Sequence, residues 1–243
     1  MHRGNNEDMI GSPYDQNNVL KVIDTDNGRL IDFFLIEEIE TIEDYIDFLR
    51  ELNSAKEIDT VRIHINCYGG DVNVALNIYD ALKYTKAQVE VWVEGMAASA
   101  ASMIMLAAHS WQIFPHSKVM IHAWTAFQYG KWNELQEQFK FDKEVWESQF
   151  KEIYKNFLTD EEIAECLRGK DFWFSSDDTI ARLNKFQADE VAKQDAVQEI
   201  IKKYEKLIND EIKVIEKSEK TATSATKKKT TTKKSAPKKD TSK

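Results

Sequence analysis

Cysteine is scarce in this chain: Cys67 and Cys166 are its only two. Two thiols so far apart make neither a disulfide scaffold nor a zinc site, which need several ligands at close spacing. No run of 18 or more apolar residues occurs, so no membrane span is expected. The opening residues, Met1 to Asp8, lack the apolar stretch of a signal peptide, and a cytoplasmic location is expected. Several common catalytic signatures are missing too. There is no Gly-x-Ser-x-Gly elbow of the α/β-hydrolases. There is no Walker A loop, no Rossmann glycine fingerprint and no His-Glu-x-x-His zinc motif. No metal and no bound cofactor is therefore expected, and any use of ATP would fall to a partner protein.

What the chain does have is acid. Its formal charge is −9 over 243 residues, and the distribution is uneven. From Lys217 to Lys243 ten lysines face only Glu219 and Asp240, which leaves the rest of the molecule at −17. An acidic body argues against nucleic-acid binding by the fold itself. A length of 243 residues with 42% apolar content supports one globular domain with appendages.

Patterning along the chain sets the organisation. Residues 1–18 are polar and read as a flexible lead. Val19 to Ile36 carries apolar runs around an Asp26-Asn27-Gly28 turn, as paired strands do. Apolar residues at 42, 45, 46, 49 and 52 predict a helix, with Thr41 and Asp44 as a capping box. Thr60 to Asn66 alternates like a strand, Val72 to Tyr84 reads as a helix, and Val89 to Val93 as a strand. A sharp Glu94-Gly95 turn and a helix over Ala97–Ala108 follow, then short strands at 111–114 and 118–121. Strand and helix alternate through the middle, as in βαβ units, whose ligands gather beyond the carboxyl ends of the strands.

Trp132, Leu135, Phe139, Trp146, Phe150, Ile153 and Phe157 recur at helical spacing. So many aromatics on one helix suit burial against a partner surface, with packing across its own sheet as the alternative. Residues 192–216 read as a helical extension, either a coiled coil or a packed arm. The stretch 217–243, rich in Lys, Thr and Ser, has too little apolar surface to fold and is expected to be disordered.

Ser99 is the first candidate for chemistry. A serine at the entry of a helix sits among backbone N–H groups without intrahelical partners. Those donors suit an oxyanion, with Ala100 N–H and a glycine-turn N–H at Gly70 as candidates. The competing reading is a simple helix cap. Ser102 repeats the Ala-Ala-Ser pattern one turn deeper, where a hydroxyl more often bonds the preceding carbonyl. A serine needs a base. His122, at the exit of the apolar run Lys118 to Ile121, can project into a cleft and act as a base. His64 lies mid-strand and reads as structural. Asp171, just before the apolar run Phe172-Trp173-Phe174, can orient a histidine, although Asp177 and Asp178 compete for that role.

Taken in order, five segments resemble the ClpP family, the proteolytic subunits of the ATP-dependent Clp protease. Ile65-Asn66-Cys67-Tyr68-Gly69-Gly70 is similar to its Ile-Asn-Ser-Pro-Gly-Gly, and Ile78-Tyr79-Asp80 follows as in the family. Gly95-Met96-Ala97-Ala98-Ser99 matches its Gly-x-Ala-Ala-Ser, Val119-Met120-Ile121-His122 its Val-Met-Ile-His, and Asp171 to Ser175 its Asp-x-Phe-x-Ser.

The resemblance implies an α/β fold of crotonase-like repeated βαβ units, spanning residues 19–191, with a long protruding "handle" helix over 132–157. It implies a serine endopeptidase with a Ser99, His122, Asp171 triad and an oxyanion hole of Gly70 and Ala100 N–H. Further implications are stacked heptameric rings, protein or peptide substrates, and a Clp-type AAA+ unfoldase as partner. Cys67-Tyr68 replaces the usual Ser-Pro, Ala100 the usual Met, and Trp124 stands where a more glycine-rich strand is usual, which places Tyr68 and Trp124 in a divergent substrate groove. The basic tail has no assigned partner. Three other readings stand beside this one: a capsid-maturation protease of the same type, associated with a virion; an acyl-CoA enzyme on a crotonase fold; and a catalytically idle ring subunit.

Overall fold

The computed structural model describes residues 19–125 and 129–230; the expected flexible lead at 1–18 lies outside the described residues. The described residues divide into two compact units, one ending at Ala188 and the other beginning at Asp189. The first unit is built on a seven-stranded sheet. Strands β1 (Val19–Thr25), β2 (Gly28–Leu35), β3 (Thr60–Cys67), β4 (Gln88–Ala98), β6 (Lys118–Ile121) and β7 (Phe172–Ser175) lie in the order 1-2-3-4-6-7, and β5 (Ser110–Ile113) also pairs with β4. The middle strands run parallel; β1 with β2 and β6 with β7 are antiparallel. Parallel neighbours need crossover connections. Helices α1 (Ile46–Ser54), α2 (Val72–Tyr84) and α3 (Ala100–Leu106) lie in three of them.

Strand alternation decides which face they cover. Ile31, Phe33 and Leu35 of β2, Val61, Ile63 and Ile65 of β3, and Val89, Val91 and Val93 of β4 are all buried. They form one core with Phe48 and Leu52 of α1 and Ile78 and Leu82 of α2, and the Phe33 ring stacks on Phe48 at 4.1 Å. Each such side chain removed from water contributes about 1.5–3 kcal/mol. The even-numbered residues of the same strands form the opposite face, which is polar. There His64 lies between Asp32 (3.1 Å) and Glu94 (3.0 Å), with its ring stacked on Phe34. The structural reading of His64 agrees with this setting.

The turn expected at Glu94-Gly95 is absent. β4 runs on through Ala98, and the register with β3 shifts between Ile65↔Val93 and Cys67↔Ala97. The extra residues form a bulge, and Asn66 Oδ1 accepts the Met96 N–H at 3.1 Å. The helix correspondingly begins at Ala100, not at Ala97. The capping box expected at Thr41 is also absent. The Thr41 hydroxyl donates to the Asp44 carboxylate at 3.0 Å, ahead of a 3-10 turn over Ile42–Tyr45. A true capping box starts α5 (Asp160–Leu167), with Thr159 and Glu162 exchanging hydrogen bonds.

The aromatic helix is α4 (Trp132–Tyr154), and it has two characters. Phe150, Ile153 and Tyr154 are buried, whereas Trp132, Phe139 and Phe141 are 75%, 57% and 66% exposed. The last helix, α6, spans Ser176–Thr230. It thus continues beyond residue 216, where a disordered tail was expected; no glycine or proline occurs between 170 and 230 to stop it. Residues 231–243 lie outside the described residues. Among the described residues no helix is long and apolar enough to cross a membrane.

Candidate active site

The site forms where β3, β4 and β6 end. β4 delivers Ser99, which is not in a helical turn as expected but is the cap residue before α3, with φ 53° and ψ −125°. A side-chain-bearing residue at such angles costs about 1–3 kcal/mol and persists only when its surroundings fix it. Here they do. Ser99 N–H donates to Met120 O at 2.8 Å, and Ser99 C=O accepts from Ser102 N–H at 2.9 Å and from the Ser102 hydroxyl at 2.6 Å. With its backbone held, the Ser99 side chain reaches the neighbouring strand's exit, and Ser99 Oγ lies 2.7 Å from His122 Nε2. Serine and histidine are thereby at the distance proton transfer needs.

The glycine pair closes over this corner. Gly69 has φ +107° and Gly70 φ +143°, values that favour glycine. A Cβ on Gly69 would fall 2.7 Å from Ser99 Cβ and 2.8 Å from Ala98 O. Gly70 bridges Ile39 in parallel: Ile39 N–H donates to Gly69 O (2.8 Å) and Asp71 N–H to Ile39 O (2.6 Å). In such a bridge the central residue's own N–H faces away from its partner. Ala100 N–H opens α3, where first-turn donors lack intrahelical acceptors. Cys67 ties the loop from behind. Its buried thiol donates to Glu37 O at 2.9 Å, and Gly69 N–H donates to its sulfur at 3.3 Å; burial pushes the thiol pKa up.

A pocket of about 500 Å³ opens over the pair, and Gly70, Ser99, Ala100, His122, Tyr68 and Trp124 all line it. Trp124 stacks parallel to Trp146 at 6.1 Å, so the buried half of α4 forms the pocket's aromatic side. A slightly larger cavity, of about 550 Å³, sits between α1 and the end of α2 and contains none of these residues.

Asp171 is the one expected site residue not brought in. The β6–β7 register pairs Ile121 with Phe172, and one step further sets Asp171 across from His122. The Asp171 side chain is nonetheless exposed. Among the described residues no carboxylate lies within 4 Å of His122. Neither Asp177 nor Asp178 replaces it: the Asp178 carboxylate accepts the Ser175 hydroxyl at 2.6 Å. Ser102 is fully buried, with its hydroxyl on Ser99 O and 2.7 Å from the Tyr154 hydroxyl, which leaves Ser99 as the accessible serine. Sequence reasoning missed Asn66, Met120 O and Tyr154, all of which act on Ser99 or its strand through contacts distant in sequence. Among the described residues no group of three or more His, Cys, Asp or Glu side chains is placed to hold a metal ion.

A strand-end serine on a histidine, beneath a glycine pair, on a parallel sheet with crossover helices defines a serine-hydrolase-like site on an α/β fold. The chain belongs to the Clp protease family, whose model, described as Clp protease, matches residues 28–182. It is 35% identical over 91 residues to the ATP-dependent Clp protease proteolytic subunit of Deinococcus radiodurans, across 37% of this chain and 45% of that protein. It is 36% identical over 84 residues to the same-named subunit of Bacteroides fragilis, across 34% of this chain and 39% of that protein. The chain thus spans less than half the length of these curated relatives. A solved structure of a ClpP1 mutant from Listeria monocytogenes superposes with a TM-score of 0.52 at 26% identity, across 62% of this chain and 86% of that one.

Proposed function

We propose that this chain is a ClpP-like serine endopeptidase. The observation that carries this reading is the 2.7 Å contact between Ser99 Oγ and His122 Nε2, in a pocket shared with Gly70 and Ala100. In the proposed reaction Ser99 Oγ attacks the peptide carbonyl while His122 Nε2 takes its proton. The N–H groups of Gly70 and Ala100 stabilise the oxyanion. The tetrahedral adduct collapses, the C–N bond breaks, and His122 gives its proton to the leaving amine. A water molecule, deprotonated by His122, then hydrolyses the acyl ester and restores Ser99.

Asp171 is proposed to orient His122. Its support is the ladder register, which places the two residues opposite one another one step beyond Ile121↔Phe172. The exposed carboxylate must turn inward to reach the imidazole. Tyr68 and Trp124 are proposed to line the peptide groove. The chemistry drawn here needs no metal or cofactor, so ATP would enter through a Clp-type AAA+ unfoldase. The exposed aromatics at the start of α4 suit burial in a stacked, heptameric ring assembly of the family type, in the cytoplasm.

The decisive experiment is labelling of the purified chain by a fluorophosphonate, with peptide hydrolysis measured alongside. Wild type is expected to label and to cleave; Ser99→Ala is expected to lose both, by about 10³-fold or more. An unlabelled wild type, or hydrolysis surviving in Ser99→Ala, overturns the assignment.

A further inference from the structure

The residue directly behind the nucleophile carries a hydrogen-bond arrangement with only one solution. The Ser102 side chain contacts two oxygens, Ser99 O at 2.6 Å and the Tyr154 hydroxyl at 2.7 Å. A carbonyl only accepts, and a serine hydroxyl has one proton. Ser102 must therefore donate to Ser99 O, and Tyr154 must donate to Ser102 Oγ. The direction is fixed as Tyr154 O–H to Ser102 O–H to Ser99 C=O.

Both hydroxyls are sealed from water, with Ser102 0% and Tyr154 2% exposed. Burial raises the Tyr154 pKa, so its donor proton is retained. Polarisation along such a chain strengthens each bond where the local dielectric is low. The Tyr154 end is firmly anchored. Tyr154 closes α4, its carbonyl accepts from Phe157 N–H (3.1 Å) and Leu158 N–H (2.8 Å), and its ring packs on Phe150 at 4.5 Å. The Ser99 end is the strained one, at φ 53° and ψ −125°. Ser99 C=O and Ala100 N–H belong to the same peptide plane. Fixing that carbonyl therefore fixes the direction of the N–H proposed to receive the oxyanion.

We infer that Tyr154 and Ser102 are positioning residues for the proposed peptidase reaction: together they set the Ser99–Ala100 peptide plane, and through it both the serine hydroxyl and the oxyanion donor. This rests on the peptidase reading. It makes the end of α4, a helix whose opening turns are exposed, part of what orients the nucleophile.

The test is the rate of fluorophosphonate labelling of the full chain as a function of probe concentration, with thermal melting recorded for each variant. Tyr154→Phe and Ser102→Ala should each lower the maximal labelling rate about tenfold, the loss expected from one buried hydrogen bond. The half-saturating probe concentration should not change, because the pocket walls remain. The double variant should be no slower than Ser102→Ala alone, since both substitutions break one relay. A purely structural role predicts lower melting temperatures with an unchanged maximal rate per folded molecule; that result overturns the inference. So do both single variants labelling at the wild-type rate while Ser99→Ala does not label, an outcome that leaves the peptidase reading standing. A wild type that does not label overturns both.

Discussion

Two histidines in this molecule have complementary surroundings. His64 has both ring nitrogens on carboxylates, Asp32 at 3.1 Å and Glu94 at 3.0 Å, and its ring lies on Phe34. Among the described residues no hydroxyl is bonded to it. His122 has the Ser99 hydroxyl at 2.7 Å and, among the described residues, no carboxylate within 4 Å. A histidine–carboxylate pair is thus not by itself a sign of chemistry. On the polar sheet face His64 hydrogen-bonds two carboxylates and packs on Phe34. At the strand ends, the proposed chemistry depends on a serine forced out of regular geometry and on backbone donors that no ladder consumes.

The most direct way to break this contrast is to remove each imidazole in turn. His122→Ala should slow fluorophosphonate labelling by about 10⁴-fold, the scale seen when a base acting on a nucleophile is lost. His64→Ala should leave the labelling rate within about twofold and instead cost about 2 kcal/mol in urea unfolding, because two partly buried carboxylates then face each other unpaired. Equal kinetic losses in the two variants would remove the distinction.

A smaller effect sharpens it. If Asp171 turns inward to give His122 the carboxylate it lacks, Asp171→Asn should lower the labelling rate by about 10²-fold and leave melting unchanged. A rate equal to wild type would show that Ser99 and His122 act as a pair.

The smallest effect separates acid stability from the His122 imidazole. The Arg182 guanidinium, 2.6 and 2.8 Å from the Glu162 carboxylate, holds that carboxyl below its ordinary value of 4.5 against the opposing effect of burial. A lowered folded-state pKa means stabilisation that is complete above the unfolded value and lost as pH falls through the folded one. Unfolding free energy should therefore decline below about pH 4.5, and Glu162→Gln should flatten that decline by about 1 kcal/mol. His122→Ala should not alter it.

Much of the site was legible in the sequence because it sits at strand ends, where local pattern and topology coincide. Alternation in Thr60–Asn66 and Lys118–Ile121 sets Gly70 and His122 at strand ends, and the resemblance to the ClpP family joins them to Ser99. The inward hydroxyl expected of Ser102 bonds the backbone of the preceding turn, at Ser99 O. The missed features depend on distant contacts. The strand continues through Gly95 because Asn66 satisfies Met96 N–H from a neighbouring strand. Tyr154 reaches Ser102 across 52 residues of chain. The orientation of the Asp171 carboxylate is a rotamer choice that no periodicity encodes. α6 outruns its expected end through a Lys-, Thr- and Ser-rich stretch that has no glycine or proline to stop it.

The β4 bulge carries a consequence for how this chain can drift. A Cβ at Gly95 would collide with the Asn66 side-chain oxygen, and that same oxygen accepts the Met96 N–H. Positions 66 and 95 are therefore epistatic. An alanine at 95 would push the Asn66 amide aside, and losing that amide strands the Met96 N–H three residues before Ser99. Both positions act on the same Met96 N–H, so the strand that carries Ser99 depends on a neighbour that takes no part in the proposed chemistry.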